Sequence, residues 1–365
     1  MAQPESHDSG DSGDSGDVEG IDRTRVSEWF SKNVEGVSGP LDFSLVAGGR
    51  SNLTYRVTDS AGNAWALRRP PVSHVLPTAH DMGREYRIIS SLGPTDVPVP
   101  HAVGLCEDQS VNGAPFYVMK FVDGLILRDA ETTTKVLAPE ARRTAGQSVA
   151  DTLAALHAVD VDAIGLGDFA RRDGYAERQL KRWLSQFDSS PVNGLETSGV
   201  VHAAHDRLAA RVPEQSQTSI VHGDYRLDNL VIGSDGKVRA VLDWEICTLG
   251  DPMADLGLLL VYWTEPGEPQ ILPGVNATGV EGFPSRSEMI DRYAQRSGRL
   301  LGGLAFYVAF GYWKLACILQ GVFHRYSGGA AAGDRSSMDG VGALVSQLAN
   351  MAIDVLDGRS VRHGG

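Results

Sequence analysis

His222-Gly-Asp224-Tyr-Arg-Leu-Asp-Asn229, with Asp243 fourteen residues on in Leu242-Asp243-Trp-Glu245, decides how this chain reads. Ser219-Ile-Val221 and Leu230-Val-Ile232 are short apolar strands, and Val238 to Leu242 is a third, beyond the turn Ser234-Asp-Gly-Lys237. The polar residues therefore fall on a loop and at a strand end. A turn between strands collects Asp and Asn for backbone hydrogen bonding, so His-x-Asp-x-x-x-x-Asn alone has a purely structural explanation. Asp243 shifts the balance, because a hard carboxylate oxygen at the neighbouring strand end can share one Mg²⁺ with the Asn229 amide. Phosphoryl transfer needs such a set: a carboxylate near the attacking hydroxyl, and metal charge on the phosphate oxygens. Asp224 fills the first role as the catalytic residue, and Asn229 and Asp243 fill the second as metal ligands. His222 is expected to hold the loop through hydrogen bonds, not to move protons.

From about Phe43 to Asp255 the chain resembles the aminoglycoside phosphotransferase (APH) and choline kinase family, small-molecule relatives of the protein kinases. The resemblance implies an α+β, bilobal protein-kinase-like fold with a small antiparallel-sheet N-lobe, a larger mostly helical C-lobe, and ATP in the cleft between them. It also implies that the loop Asp is the base and that the Asn and the later Asp hold Mg²⁺, which carries over to Asp224, Asn229 and Asp243. A further family feature is Gly250-Asp-Pro-Met-Ala-Asp255-Leu-Gly, whose Asp255 would open a helix and brace the catalytic loop. Taken alone, that Asp is an ordinary N-cap. The expected organisation is an acidic disordered tail at 1–20, a nucleotide-binding lobe at 21–120, and a catalytic and acceptor-binding lobe at 121–365.

In the nucleotide-binding lobe, Phe43-Ser-Leu-Val46 and Leu53-Thr-Tyr-Arg-Val57 flank the polar turn Ala47-Gly-Gly-Arg-Ser-Asn52. Small residues let backbone amides approach an anion closely. No Gly-Lys-Ser/Thr follows, and the Gly-x-Gly-x-x-Gly of dinucleotide folds is absent, so the turn is neither of those motifs. A plain hairpin turn would look the same, but the kinase family places such a turn over the ATP phosphates. Gly49, Ser51 and Asn52 are thus the phosphate-facing candidates. Trp65-Ala-Leu-Arg68 reads as a strand in which arginine stands where kinases carry lysine. Arginine still grips phosphate, bidentately and with a permanent charge. Arg69 is its neighbour on the opposite face, so period-two alternation turns Arg68 inward. Glu85 precedes Ile88, Ile89 and Leu92 at helical spacing and is the expected ion-pair partner of Arg68. Pro115 to Lys120 makes a further strand, and Phe121-Val-Asp-Gly124 a hinge; Met119, Phe121 and Val122 are the adenine-side candidates.

The bulk numbers bound these readings. A chain of 365 residues, 42% hydrophobic and 22% charged, can bury a substantial core. Its formal charge of -13 is concentrated at the start: Met1 to Gly20 carries six acids and no Lys or Arg, leaving 40 acids against 33 bases beyond it. That tail repeats Asp-Ser-Gly, has almost nothing apolar to offset ordering entropy, and has none of the marks of a secretion signal. No basic stripe interleaved with aromatics appears, which argues against nucleic-acid partners. Cys106, Cys247 and Cys317 are odd in number and widely spaced, which suits free thiols in the reducing cytoplasm and gives no zinc pattern. Leu300 to Phe323 is long enough to span a bilayer, but Lys314, four glycines and the lack of a basic flank make it a buried helix rather than a membrane anchor.

On the acceptor side, Pro139 opens a long amphipathic helix. Tyr175 to Phe187 forms another, whose basic face carries Arg178, Lys181 and Arg182. Together with Leu67-Arg-Arg-Pro-Pro71 and Leu242-Asp-Trp-Glu245, this pattern is similar to the kinase-like domains fused to acyl-CoA dehydrogenases and to bacterial 4-hydroxyacyl-CoA kinases. That resemblance implies a small-molecule hydroxyl acceptor, a hydroxyacyl-CoA or related acid, and the basic helix face makes Arg178 and Arg182 the residues expected to receive its anionic part. Two alternatives stand beside it. An aminoglycoside O-phosphotransferase would steer its cationic substrate with acids such as Glu265, Glu268, Glu288 and Asp291. A nucleotide-binding pseudokinase would account for the missing lysine.

Overall fold

The computed structural model describes residues 18–47, 52–72, 81–192, 196–215, 217–272, 274–327 and 340–359. The chain divides into two units, Met1–Tyr86 with Ala102–Phe121, and Arg87–His101 with Val122–Gly365.

The first unit contains α1 (Arg23–Asn33), β1 (Leu41–Ala47), β2 (Leu53–Asp59), β3 (Ala64–Arg69), the start of α2 (Met82–Leu92), β4 (Ala102–Cys106), the single turn α3 (Gln109–Asn112) and β5 (Phe116–Lys120). The strands form one antiparallel sheet in the order β1-β2-β3-β5-β4. Alternation makes β2 two-faced: Leu53, Tyr55 and Val57 are buried while the residues between them are partly exposed. Those side chains meet Trp65, Leu67, Phe116 and Val118 from the neighbouring strands and Val26 and Phe30 from α1. Asp22 caps α1 by accepting the Arg25 amide at 3.0 Å. Trp29 of the same helix rests edge-on against Phe116, with ring centres 5.0 Å apart. Gly104 on β4 leaves room for that indole, since a Cβ there would stand 3.0 Å from Trp29 Cη2.

The second unit holds α4 (Ala130–Val136), α5 (Pro139–Ala158), α6 (Tyr175–Asp188), α7 (Ser198–Ala209), β6 (Ser219–Val221), β7 (Leu230–Ile232), β8 (Val238–Val241), β9 (Thr248–Gly250), α8 (Met253–Tyr262), α9 (Arg286–Ser297), α10 (Leu304–Ser327) and α11 (Val341–Leu356). Its strands form two ribbons, β6 with β9 and β7 with β8, both antiparallel. β9 was not visible as a strand in the sequence, where Thr248-Leu-Gly250 is too short to show alternation. Pro139 stands in the first turn of α5, where its missing N–H costs nothing. The apolar run expected as a buried helix is α10. It is long and apolar enough to cross a bilayer, yet 72% of its most apolar window is buried inside the protein. It packs closely on α8 because Gly257 brings the two backbones together: a Cβ there would stand 2.6 Å from the Tyr307 carbonyl. The arrangement is the small antiparallel sheet and mostly helical remainder expected from the sequence.

Candidate active site

In the second unit the catalytic-loop motif leaves β6 at His222 and re-enters β7 through the 3-10 turn Leu227–Asn229. Gly223 adopts a left-handed φ of 84°, and a Cβ there would also press on Ile246 at 3.2 Å. His222 ties the loop down from both ring nitrogens. Nε2 donates to the Leu242 carbonyl at 2.8 Å, and Nδ1 accepts the Asp224 amide at 3.2 Å. These partners fix a neutral imidazole with its proton on Nε2. One ring thus links the residue before Asp243 to Asp224 itself.

Asn229 donates its side-chain amide to the Asp224 carbonyl and to Asp224 Oδ2, both at 2.9 Å. That orientation leaves Asn229 Oδ1 as the ligand atom. Leu230 pairs with Val241 in the β7–β8 ladder, and the Leu242 amide donates to the Asn229 carbonyl at 2.8 Å. Asn229 and Asp243 therefore stand at the same end of one ribbon. Asp243 is the one non-glycine among the described residues with positive φ, at 65°. Asp tolerates that conformation better than most residues, and such outliers gather at functional sites. An amide oxygen and a carboxylate suit Mg²⁺, which takes few protein ligands and keeps water and phosphate as the rest. Among the described residues no group of three His, Cys, Asp or Glu is arranged to hold a metal ion.

Beneath the loop lies Asp255, fully buried. Its carboxylate accepts the His222 amide at 2.7 Å and the Gly223 amide at 2.8 Å. Burial pushes its pKa up, but the His157 hydrogen bond and the Gly223 amide oppose it, and the net shift is downward. His157 Nε2 is 3.3 Å from Asp255, and its Nδ1 pairs with the Tyr293 hydroxyl at 2.7 Å. Asp255 is in the third position of α8 and is not its N-cap, which is Pro252. The Met253 amide is accepted by Asp251 instead.

Asp224 opens on a cavity of about 430 Å³. Leu258, Leu272, Val275, Leu315, Ile318 and Leu319 give it aliphatic walls, and three cations, Arg226, Lys314 and Arg325, line it with Glu245. Arg226 Nε is 3.5 Å from Asp224 Oδ2 and Nη2 is 2.9 Å from Asp228, with the guanidinium 4.9 Å from the Tyr262 ring centre. None of the three cations was singled out from the sequence as an acceptor residue. The signal for Lys314 was there, as a lone charge inside an apolar helix. Arg178 and Arg182, expected to receive the acceptor, do not line this cavity. Arg178 donates to the Arg171 carbonyl at 2.8 Å, and Arg182 is exposed over the Trp183 ring.

In the first unit Arg68 Nε stands 2.9 Å from Glu85 Oε2, and Glu85 is 2% exposed. The same carboxylate accepts Asn52 Nδ2 at 2.6 Å and the Tyr117 hydroxyl at 3.0 Å. The β2–β3 and β3–β5 registers set Arg68 between Thr54 and Tyr117. Arg69, on the other face, donates to the carbonyls of Gly20 and Asn112. Met119 is buried on β5, the Phe121 amide donates to Ala64 O at 3.1 Å, and Arg56 stacks 4.6 Å over the Phe121 ring. The division between units falls between Phe121 and Val122, which is half-buried. Gly49 and Ser51 lie outside the described residues.

The model of the phosphotransferase enzyme family, APH, matches residues 42–289. Mouse acyl-CoA dehydrogenase family member 10 is 34% identical over 325 residues, covering 87% of this chain and 29% of that protein. The chain spans less than half the length of the acyl-CoA dehydrogenase relatives it matches. A crystal structure from Ralstonia eutropha JMP134, provisionally described as an aminoglycoside phosphotransferase, is 34% identical with a TM-score of 0.77, covering 93% of this chain and 99% of that one. Choline kinase from Cryptosporidium parvum shares the fold at 12% identity, with a TM-score of 0.63 and 92% and 96% of the two chains covered.

Proposed function

This chain belongs to the APH family of phosphotransferase enzymes and acts as a small-molecule kinase on a hydroxyl group, and we propose that it moves the γ-phosphate of ATP to a hydroxyacyl-CoA or related hydroxy acid. Asp224 orients the acceptor hydroxyl and takes its proton as the new P–O bond forms. Asn229 Oδ1 and Asp243 are the residues that would hold Mg²⁺. Bound there, the ion would neutralise charge on the phosphate oxygens. In the first unit Arg68, fixed by Glu85, takes the phosphates, and Met119 and Phe121 meet adenine.

The acceptor reading rests on one observation: Asp224 lines a cavity with aliphatic walls and three cations against two acids, Asp224 and Glu245. Aliphatic walls suit an acyl chain, and Lys314 and Arg325 on the wall suit an acid or a CoA phosphate. An amino sugar would want the opposite sign. The acids considered for steering one are engaged or placed elsewhere: Glu268 pairs with Arg286 at 2.6 Å, Glu288 caps α9 and pairs with Arg143, and Asp291 lines a separate surface groove. The test is purified protein with Mg-ATP and 4-hydroxyacyl-CoA. Acceptor-dependent ADP with one phosphate on the hydroxyl is expected. ADP release only with amino sugars, or with no acceptor tried, overturns the acceptor assignment.

A further inference from the structure

Lys314 is a buried lysine in an otherwise apolar helix. It is 5% exposed, in the middle of α10, and lines the same cavity as Asp224. Among the described residues its one hydrogen bond runs from Nζ to the Gly223 carbonyl at 2.7 Å. The indole of Trp183 lies beside it, with Nζ 5.3 Å from the ring centre. An ammonium has three N–H groups, and the Gly223 carbonyl takes one of them. A charge taken out of water is expected to be both paired and hydrogen-bonded. Here the opposing charges act at longer range, from Asp224 and Asp255, and burial still pulls the lysine below its ordinary pKa.

We propose that Lys314 is a specificity residue that donates to an acceptor oxygen, the carbonyl of an acyl group, while Asp224 holds the hydroxyl of the same molecule. This rests on the acceptor reading above and deepens it: the substrate class is a hydroxyl compound bearing a carbonyl or carboxyl oxygen, and cationic amines are rejected. Three features point the same way. The residue is anchored, because the Gly223 carbonyl and the Trp183 face hold Nζ at the cavity wall. It is desolvated, so a hydrogen bond to it discriminates more strongly than one at the surface. It is also tied to the residue before Asp224, so donor and base are registered to each other through one peptide unit. A substrate amine at that position would meet a like charge in a site that screens less than bulk water.

The experiment compares two acceptors that differ in one oxygen: 4-hydroxypentanoyl-CoA and its thioether analogue, in which the thioester C=O is CH₂. Each is assayed for kcat/KM with Mg-ATP, using the full chain and its Lys314→Met and Lys314→Arg variants. The full chain should prefer the thioester by roughly 10- to 100-fold, the range for a hydrogen bond to a charged group. Lys314→Met should bring that ratio close to one, and Lys314→Arg should restore part of it. Any general damage to the loop lowers both acceptors alike and cancels in the ratio. A preference that survives Lys314→Met overturns the inference but leaves the kinase reading standing. A full chain that phosphorylates both acceptors equally also overturns it. If neither acceptor is phosphorylated by the full chain, the acceptor reading itself falls.

Discussion

Asp255→Asn isolates the support of the catalytic loop from its chemistry. The carboxylate accepts two backbone amides, at 2.7 and 2.8 Å, in full burial. Asparagine keeps the shape but offers one acceptor oxygen, so its NH₂ faces a backbone N–H that no longer has a partner. A hydrogen bond to a charged group contributes about 1.5–3 kcal/mol, and a stranded buried donor costs about 1–3 kcal/mol. One bond loses its charge and the other is lost, which places the destabilisation at about 3–5 kcal/mol. For a unit of this size each kcal/mol moves the melting temperature by about 2–4 °C, so the Tm should fall by roughly 10 °C. Turnover should suffer independently of folding, since a shift of about 1 Å in Asp224 costs on the order of 100-fold. Calorimetry gives the first quantity, and steady-state kinetics well below the lowered Tm gives the second. A variant within about 1 kcal/mol of the parent that retains full turnover would refute the idea that Asp255 positions the loop.

Arg68→Met should destabilise the first unit by about 3 kcal/mol, because removing one partner of a buried pair leaves the other uncompensated. The double variant Arg68→Met/Glu85→Leu should recover much of that stability in denaturant unfolding yet not recover ATP affinity; recovery of both would reduce Arg68 to a structural residue. Stability should also fall on acidification below about pH 6.5. Burial first, then the Arg299 charge, hold His157 below its ordinary 6.5 against the opposing pull of Asp255 and Asp251. The unfolded chain therefore binds the proton more readily than the folded one, and this contribution, complete above pH 6.5, is lost by about 1.4 kcal/mol per pH unit as pH drops toward the folded value. Urea unfolding from pH 7.5 to 5 reads this, and a flat profile, or one unchanged by His157→Gln, would remove His157 as its source.

Much of the site is written locally. His222, Asp224 and Asn229 lie within eight residues, so strand ends and loop polarity are enough to place them, and Asp243 follows from the next strand end. Period-two alternation separates Arg68 from Arg69, and their partners, Glu85 for one and the carbonyls of Gly20 and Asn112 for the other, stand on opposite faces. What the sequence hides is anything carried by separation. Lys314 reaches Gly223 from ninety-one residues away, and no spacing rule links an apolar helix to a distant loop. Asp255 illustrates a nearer ambiguity: an acid near a helix start reads as a cap, whereas this one bonds amides 32 and 33 residues earlier. Arg178 and Arg182 show the converse, because a basic helical face reveals charge but not what faces it, and neither lines the Asp224 cavity. Asp243 carries a backbone conformation that only coordinates reveal.

In the proposed mechanism Asn229 and Asp243 are the residues that would hold the divalent ion Asp224 works beside. Calorimetric titration of a non-hydrolysable ATP analogue into Asp243→Ala, with and without Mg²⁺, alongside turnover and a melting curve to confirm folding, tests it most directly. The expected result is a folded variant in which Mg²⁺ no longer strengthens nucleotide binding and turnover drops by about 1,000-fold or more, the scale of several kcal/mol of lost charge stabilisation. A folded Asp243→Ala protein that keeps both its Mg²⁺-dependent binding and its turnover would contradict it.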